Sequence, residues 1–191
     1  MPRAGLSPAS VVDAAIAVID AGGPGALTLA AVAERTGVAT PSLYKHVAGL
    51  VELRRLVALR VLDEVTERLS RAVMGRGEDA AIAALMDAYR RYATEYPGRY
   101  AALPQIPQSD RELAAAGERL VDVFLAVLRG YALRGPAAIH ATRCLRAAAH
   151  GFASLQVAGA FARPESLDTT YEQLITILTA GLHAVGSASG R

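Results

Sequence analysis

Between Thr40 and Val47 the chain reads Thr-Pro-Ser-Leu-Tyr-Lys-His-Val, which places two hydroxyls, a phenol, an ammonium and an imidazole within barely two helical turns. Taking Leu43 and Val47, spaced i and i+4, as the buried side turns Pro41, Ser42 and Lys45 outward and leaves Tyr44 and His46 on the flanks. Small or polar groups and one cation on a free helix face suit contacts to base edges in a major groove about 12 Å wide. Catalysis has no comparable signal: the chain carries no Ser/His/Asp order, nucleotide loop, Rossmann glycine pattern or zinc-protease motif. His140 and Cys144 are spaced i and i+4, as two metal ligands can be, but no third and fourth ligand stand at an obvious spacing.

A helix this short does not survive alone, so neighbouring elements must hold it. Thr28 suits the N-cap of a preceding helix with Leu29, Val32 and Ala33 on its apolar face, and Gly37 supplies the left-handed turn that Val38 plugs. Thr40 as cap and Pro41 as first residue then open the short helix. Upstream, Ser7-Pro8 starts a helix over about 8–21, with Val12, Ala15, Ile16 and Ile19 at helical spacing and Gly22-Gly23 as its stop. Downstream, Leu53, Leu56, Val57, Val61, Leu62, Val65, Leu69 and Val73 stripe one side of a long helix over 50–73.

The remaining chain repeats the helical period. A helix over about 79–96 carries Ile82, Leu85, Met86, Tyr89, Tyr92 and Tyr96 and is stopped by Pro97-Gly98. Residues 99–108, broken by Pro104 and Pro107, read as a loop or a one-turn helix. Ser109-Asp-Arg-Glu112 fits a capping box for a helix reaching Leu128 or Arg129. Gly135-Pro136 opens a helix over about 136–158, apolar or small nearly all round and therefore expected to be buried on several sides. A last helix, about 167–185, carries Leu167, Tyr171, Leu174, Ile175, Leu178 and Leu182. With no period-2 segment of useful length, the fold class is all-α with about nine helices, divided into residues 1–52 and 53–191.

Net charge is +2, and its placement is uneven. Residues 1–60 hold six cations against four anions, and the rest hold 14 of each, a weak polarity compatible with phosphate contact. No apolar run of about 18 residues and no signal-peptide core appear, and the single Cys144 cannot form an internal disulfide, so the expected location is the cytoplasm.

Three stretches resemble the TetR family of bacterial transcriptional regulators: Leu29-Ala-Ala-Val-Ala-Glu-Arg-Thr-Gly-Val38, Ser42-Leu-Tyr-Lys-His-Val47 and Leu50-Val-Glu-Leu53, after an apolar first helix. The resemblance covers about residues 7–60. It implies that Thr40, Pro41, Ser42 and Lys45 face bases, while Thr28, Tyr44 and His46 contact the DNA backbone. The alternatives are a Tyr44 ring packed between helices and a His46 imidazole bound to terminal helix carbonyls. Two positions depart from the family pattern. Val47 stands where phenylalanine is frequent, and Ala48-Gly-Leu50 lacks the lysine often opening the fourth helix, leaving Arg54 or Arg55 as substitutes. Ala149-His-Gly-Phe-Ala-Ser-Leu155 resembles the WHG-type C-terminal domain of some of these regulators, with alanine in place of tryptophan.

The resemblance further implies a homodimer through the last two helices, about 136–158 and 167–185, and these carry more apolar surface than one small bundle can hide. It also implies a small apolar effector in the 78–185 region, for which Tyr89, Tyr92, Tyr96, His140, Arg143 and His150 are the candidate contacts. Ordinary core packing is the alternative for each tyrosine. The expected protein is a repressor released from a pseudo-palindromic double-stranded operator by that effector, with no cofactor, no metal and no membrane partner. The rivals are a ligand-independent DNA-binding factor and an α-helical enzyme or carrier.

Overall fold

The computed structural model describes residues 6–103 and 110–189, with side chains described as far as 187. Among these, nine α-helices and no strands occur: α1 (Pro8–Gly22), α2 (Leu29–Thr36), α3 (Thr40–Leu43), α4 (Leu50–Val73), α5 (Glu78–Glu95), α6 (Pro97–Ala101), α7 (Arg111–Leu128), α8 (Gly135–Val157) and α9 (Leu167–Ser189). They form two compact units, Met1–Asp63 with Tyr96–Ala116, and Glu64–Glu95 with Gly117–Arg191. The 52/53 boundary read from the sequence falls inside α4, and the front unit also takes in α6 and the start of α7.

In the first unit α1 opens on the capping box that Ser7-Pro8 announces. The Ser7 hydroxyl accepts from the Ser10 amide at 3.1 Å, and the Ser10 hydroxyl accepts from the Ser7 amide at 2.8 Å. Val11, Val12, Ala15, Ile16 and Ile19 form its buried side, packed against α2 and α6. Gly98 lets α6 approach: a Cβ there would stand 2.6 Å from the Ile19 carbonyl oxygen. Arg99 clamps the same junction, donating to both Asp20 carboxylate oxygens at 2.9 and 2.7 Å. Arg60 of α4 reaches Asp13 of α1 at 3.2 Å.

In the second unit α5 packs on α8 and α9. Ile82, Leu85, Met86, Tyr89 and Tyr92 of α5, Leu145 and Phe152 of α8, and Phe124 and Leu128 of α7 are buried. The Tyr171 hydroxyl of α9 donates to the Met86 carbonyl at 2.8 Å. A polar knot ties the ends of three segments: the Asp79 carboxylate accepts from the Tyr131 hydroxyl and lies 2.8 Å from His183 Nε2.

Three local expectations are revised. α3 is capped at Ala39, whose φ of −73° and ψ of 142° are extended, so Thr40 is the first helical residue rather than the cap, and no side chain caps the helix. α8 buries a single face, Ala138, Ala141, Thr142, Leu145, Ala149, Phe152 and Ala153, rather than several. His140, Arg143, Ala147 and His150 recur every three or four residues and line up on its exposed side. The one-turn helix after α5 begins at Pro97 itself. Ser109 of the anticipated capping box lies outside the described residues, as do Pro104 and Pro107. The cap seen at α7 is Asp110, whose Oδ1 accepts from the amides of Glu112 and Leu113 at 3.1 Å each.

Candidate nucleic-acid interface

The surface presented by α2 and α3 is set by what lies beneath it. Thr28 caps α2, its hydroxyl oxygen accepting from the Ala31 amide at 3.1 Å. Gly37, at φ 69°, ends α2 in the left-handed conformation, and the Val38 amide then donates back to the Ala33 carbonyl at 3.0 Å. That turn delivers α3, whose four regular residues give way to a turn closed by the Val47 amide on the Leu43 carbonyl at 3.0 Å. Leu43 is 0% and Val47 4% exposed, so these two side chains hold a helix too short to hold itself.

Their burial leaves the opposite side free. Pro41 and Lys45 are exposed, and Thr40, Ser42 and His46 are half-buried. The Tyr44 ring is 58% exposed and stands outside the core, which sets aside packing between helices. Thr28 is exposed at the start of α2, where free backbone amides and the positive end of the helix favour an anion. Thr28, Thr40, Pro41, Ser42, Tyr44, Lys45 and His46 are therefore brought together on one element pair with its polar groups toward solvent.

The two arginines considered as substitutes for the missing lysine separate. Arg55 is taken up inside the first unit: its Nε donates to Asp110 Oδ2 at 2.6 Å, and its guanidinium also meets Glu112 and, at 3.4 Å, Glu52. These partners raise the Arg55 pKa above its ordinary value, Asp110 first, and Arg55 in turn holds the Asp110 carboxyl below the usual range. Arg54 is exposed and has no ion-pair partner among the described residues.

The six residues expected to meet an effector do not converge. Tyr89, Arg143 and His150 line one shallow recess of about 340 Å³ with Arg146 and Ala147. Tyr92 is buried, its hydroxyl donating to the Glu64 carboxylate at 2.9 Å. Tyr96 belongs to the first unit, where the Arg99 guanidinium lies 4.4 Å from its ring centroid. His140 is exposed on α8, as is Cys144. A separate cleft of about 670 Å³ centres on Arg90, which sequence reasoning missed. Its guanidinium donates to Gln156 at 2.7 Å, pairs with Asp168 at 2.8 Å, and lies 5.2 and 4.9 Å from the ring centroids of Phe152 and Tyr171. Nothing local in the sequence signals these partners, of which even the hydrogen-bonded Gln156 stands 66 residues away.

A short helix docked through Leu43 and Val47 behind a capped α2, with its polar side free, defines a helix-turn-helix DNA-binding module. Residues 11–47 match the family model for bacterial regulatory proteins of the tetR family, and residues 82–178 match that for the tetracyclin repressor-like C-terminal domain. An uncharacterized HTH-type transcriptional regulator of Mycobacterium tuberculosis is 36% identical, over 93% of this chain and 82% of the relative. The fold is shared with a Rhodococcus protein of unknown function, at 21% identity and a TM-score of 0.83 over 96% of this chain and 99% of that one. It is also shared with a TetR variant of Acinetobacter baumannii in complex with minocycline, at 18% identity and a TM-score of 0.72 over 95% and 99%. The chain belongs to the TetR family of bacterial transcriptional regulators.

Proposed function

We propose that this regulator is a homodimeric repressor that occupies a pseudo-palindromic operator and leaves it when a small molecule binds. The observation that carries the reading is the α3 surface: Leu43 and Val47 are buried and Tyr44 and Lys45 stand free. Thr40, Pro41, Ser42 and Lys45 meet base edges, while Thr28, Tyr44 and His46 meet sugar and phosphate. Thr28 keeps its hydroxyl hydrogen for a phosphate oxygen because the cap uses only its oxygen. One copy brings few cations, and two copies with recognition helices roughly 34–36 Å apart double the phosphate contacts and match successive turns of DNA.

The last two helices supply the dimer surface in this reading. Ile139, Leu155 and Val157 of α8 and Ile177 and Val185 of α9 are exposed apolar side chains, with Ile177 at 69%. An isologous contact between two such faces covers them. The effector occupies the 78–185 region, with Tyr89, Arg143 and His150 as its contacts; the similarly folded Acinetobacter protein is in complex with minocycline. α4, which contributes residues to both units, carries the change to the operator side. An effector acts this way only by binding the two arrangements with different affinity. No described helix is long and apolar enough to cross a membrane, and operator binding sets the protein in the cytoplasm. A genome-wide footprint of bound sites tests the reading. Discrete pseudo-palindromic sites are the expected result, and uniform background occupancy contradicts it.

A further inference from the structure

An apolar hollow of the first unit shares no lining residue with the recess assigned to the effector. Its volume is about 530 Å³, inside the range of about 300–1,000 Å³ typical of small-molecule sites. Ile19 of α1, Leu27, Val57 of α4 and Leu113 of α7 wall it with side chains that are at most 3% exposed. Val51, 83% exposed, stands on its lining beside Arg54, one helical turn below Arg55.

The polar groups on that wall are unequal. Asp110 is satisfied by Arg55 and by two α7 amides, and Arg55 is satisfied by Asp110, Glu52 and Glu112. Arg54 alone among the charged lining residues lacks an ion-pair partner among the described residues. The hollow therefore offers hydrocarbon surface with one uncommitted guanidinium beside it. A cationic ligand meets two arginines there, and a neutral one leaves Arg54 unused.

We infer that the first unit holds a binding site for a small apolar carboxylate, with its hydrocarbon against Ile19, Leu27, Val57 and Leu113 and its carboxylate on Arg54. The site is separate from the Tyr89–His150 recess. Because its walls include α1 and the start of α4, which belong to the same unit as α2 and α3, occupancy alters the support of the recognition surface. That last consequence rests on the regulator reading, whereas the binding itself does not.

The test is calorimetric titration of the full-length protein with sodium decanoate, below its micelle concentration, and with decanol. Decanoate is expected to bind. Arg54→Gln weakens it by about tenfold or more, the value of a charge-assisted hydrogen bond, and leaves decanol unchanged. Ala102→Phe, which fills the hollow from its half-buried wall, abolishes both; if that variant fails to melt cooperatively, Ala101→Phe, at an exposed position on the same wall, replaces it. His150→Ala, at the other recess, leaves both ligands unaffected. Absence of binding to the wild type, wild-type affinity in Arg54→Gln and in the filling variant, or loss of binding in His150→Ala overturns the site. Decanoate binding with no operator binding by the ligand-free protein counts against the regulator reading alone.

Discussion

Replacing Leu43 by alanine removes the main anchor of α3, and its cost follows from where the side chain sits. Leu43 is 0% exposed in a helix of four regular residues with no side-chain cap, so neither length nor capping substitutes for lost packing. A buried Leu→Ala change costs about 2–5 kcal/mol, transfer and residual cavity together. That is a large share of a total stability of about 5–15 kcal/mol, yet small enough for most of the population to remain folded. If the loss falls on docking of α3, each 1.4 kcal/mol or so reduces the docked fraction about tenfold once the undocked form dominates, and operator affinity falls with it. Urea unfolding of Leu43→Ala, paired with hydrogen exchange at the α3 amides and operator titration, separates global from local loss. Protection of α3 and operator affinity are expected to fall together. A stability change under about 1 kcal/mol with wild-type exchange at α3 would refute the anchoring role of Leu43.

Three further outcomes follow. Gly186→Ala places a Cβ 2.3 Å from the Tyr131 carbonyl oxygen, a backbone atom; overpacking of about 1–3 kcal/mol outweighs the roughly 0.5–1 kcal/mol helix gain of alanine, so the melting temperature falls. The Asp79 carboxyl is held below its ordinary value of 3.8 first by the Tyr131 hydroxyl and then by His183. Its contribution to stability is thus complete above that value and is lost as pH falls through the lowered folded value. Melting curves at a series of pH values should show Asp79→Asn less stable than wild type at neutral pH, with the gap closing in acid. Ile177→Glu puts a charge on the most exposed large apolar side chain of α9 among the described residues, and sedimentation is expected to show monomer where the wild type sediments as a dimer.

Most helices were legible because their signals are local. Ser7-Pro8, Thr28 and Gly37 each act within four residues, and the burial of Leu43 and Val47 follows from one i, i+4 spacing. The α3 cap slipped by one residue because Pro41 fits either of the first two helical positions, and the backbone of Ala39 supplies the extended conformation without any side-chain signature. α8 misled through composition: its alanines suggested burial all round, whereas the spacing of His140, Arg143 and His150 marks an exposed side. The solvent-facing side of α3 was readable from one short stretch, but the partners of the buried and half-buried polar side chains were not. Tyr92 finds Glu64, Arg90 finds Gln156 and Asp168, and Arg55 finds Asp110, all across sequence separations that only the tertiary packing closes.

The central claim, that the free side of α3 reads DNA, is tested most directly by fluorescence anisotropy of the full-length protein on a footprinted operator at several salt concentrations. Lys45→Ala is expected to cost about 1–3 kcal/mol per half-site and to relax specificity at the bases it faces. Tyr44→Ala is expected to weaken binding across sequences, as the backbone contact proposed for it requires. Operator affinity unchanged in both variants would contradict the account.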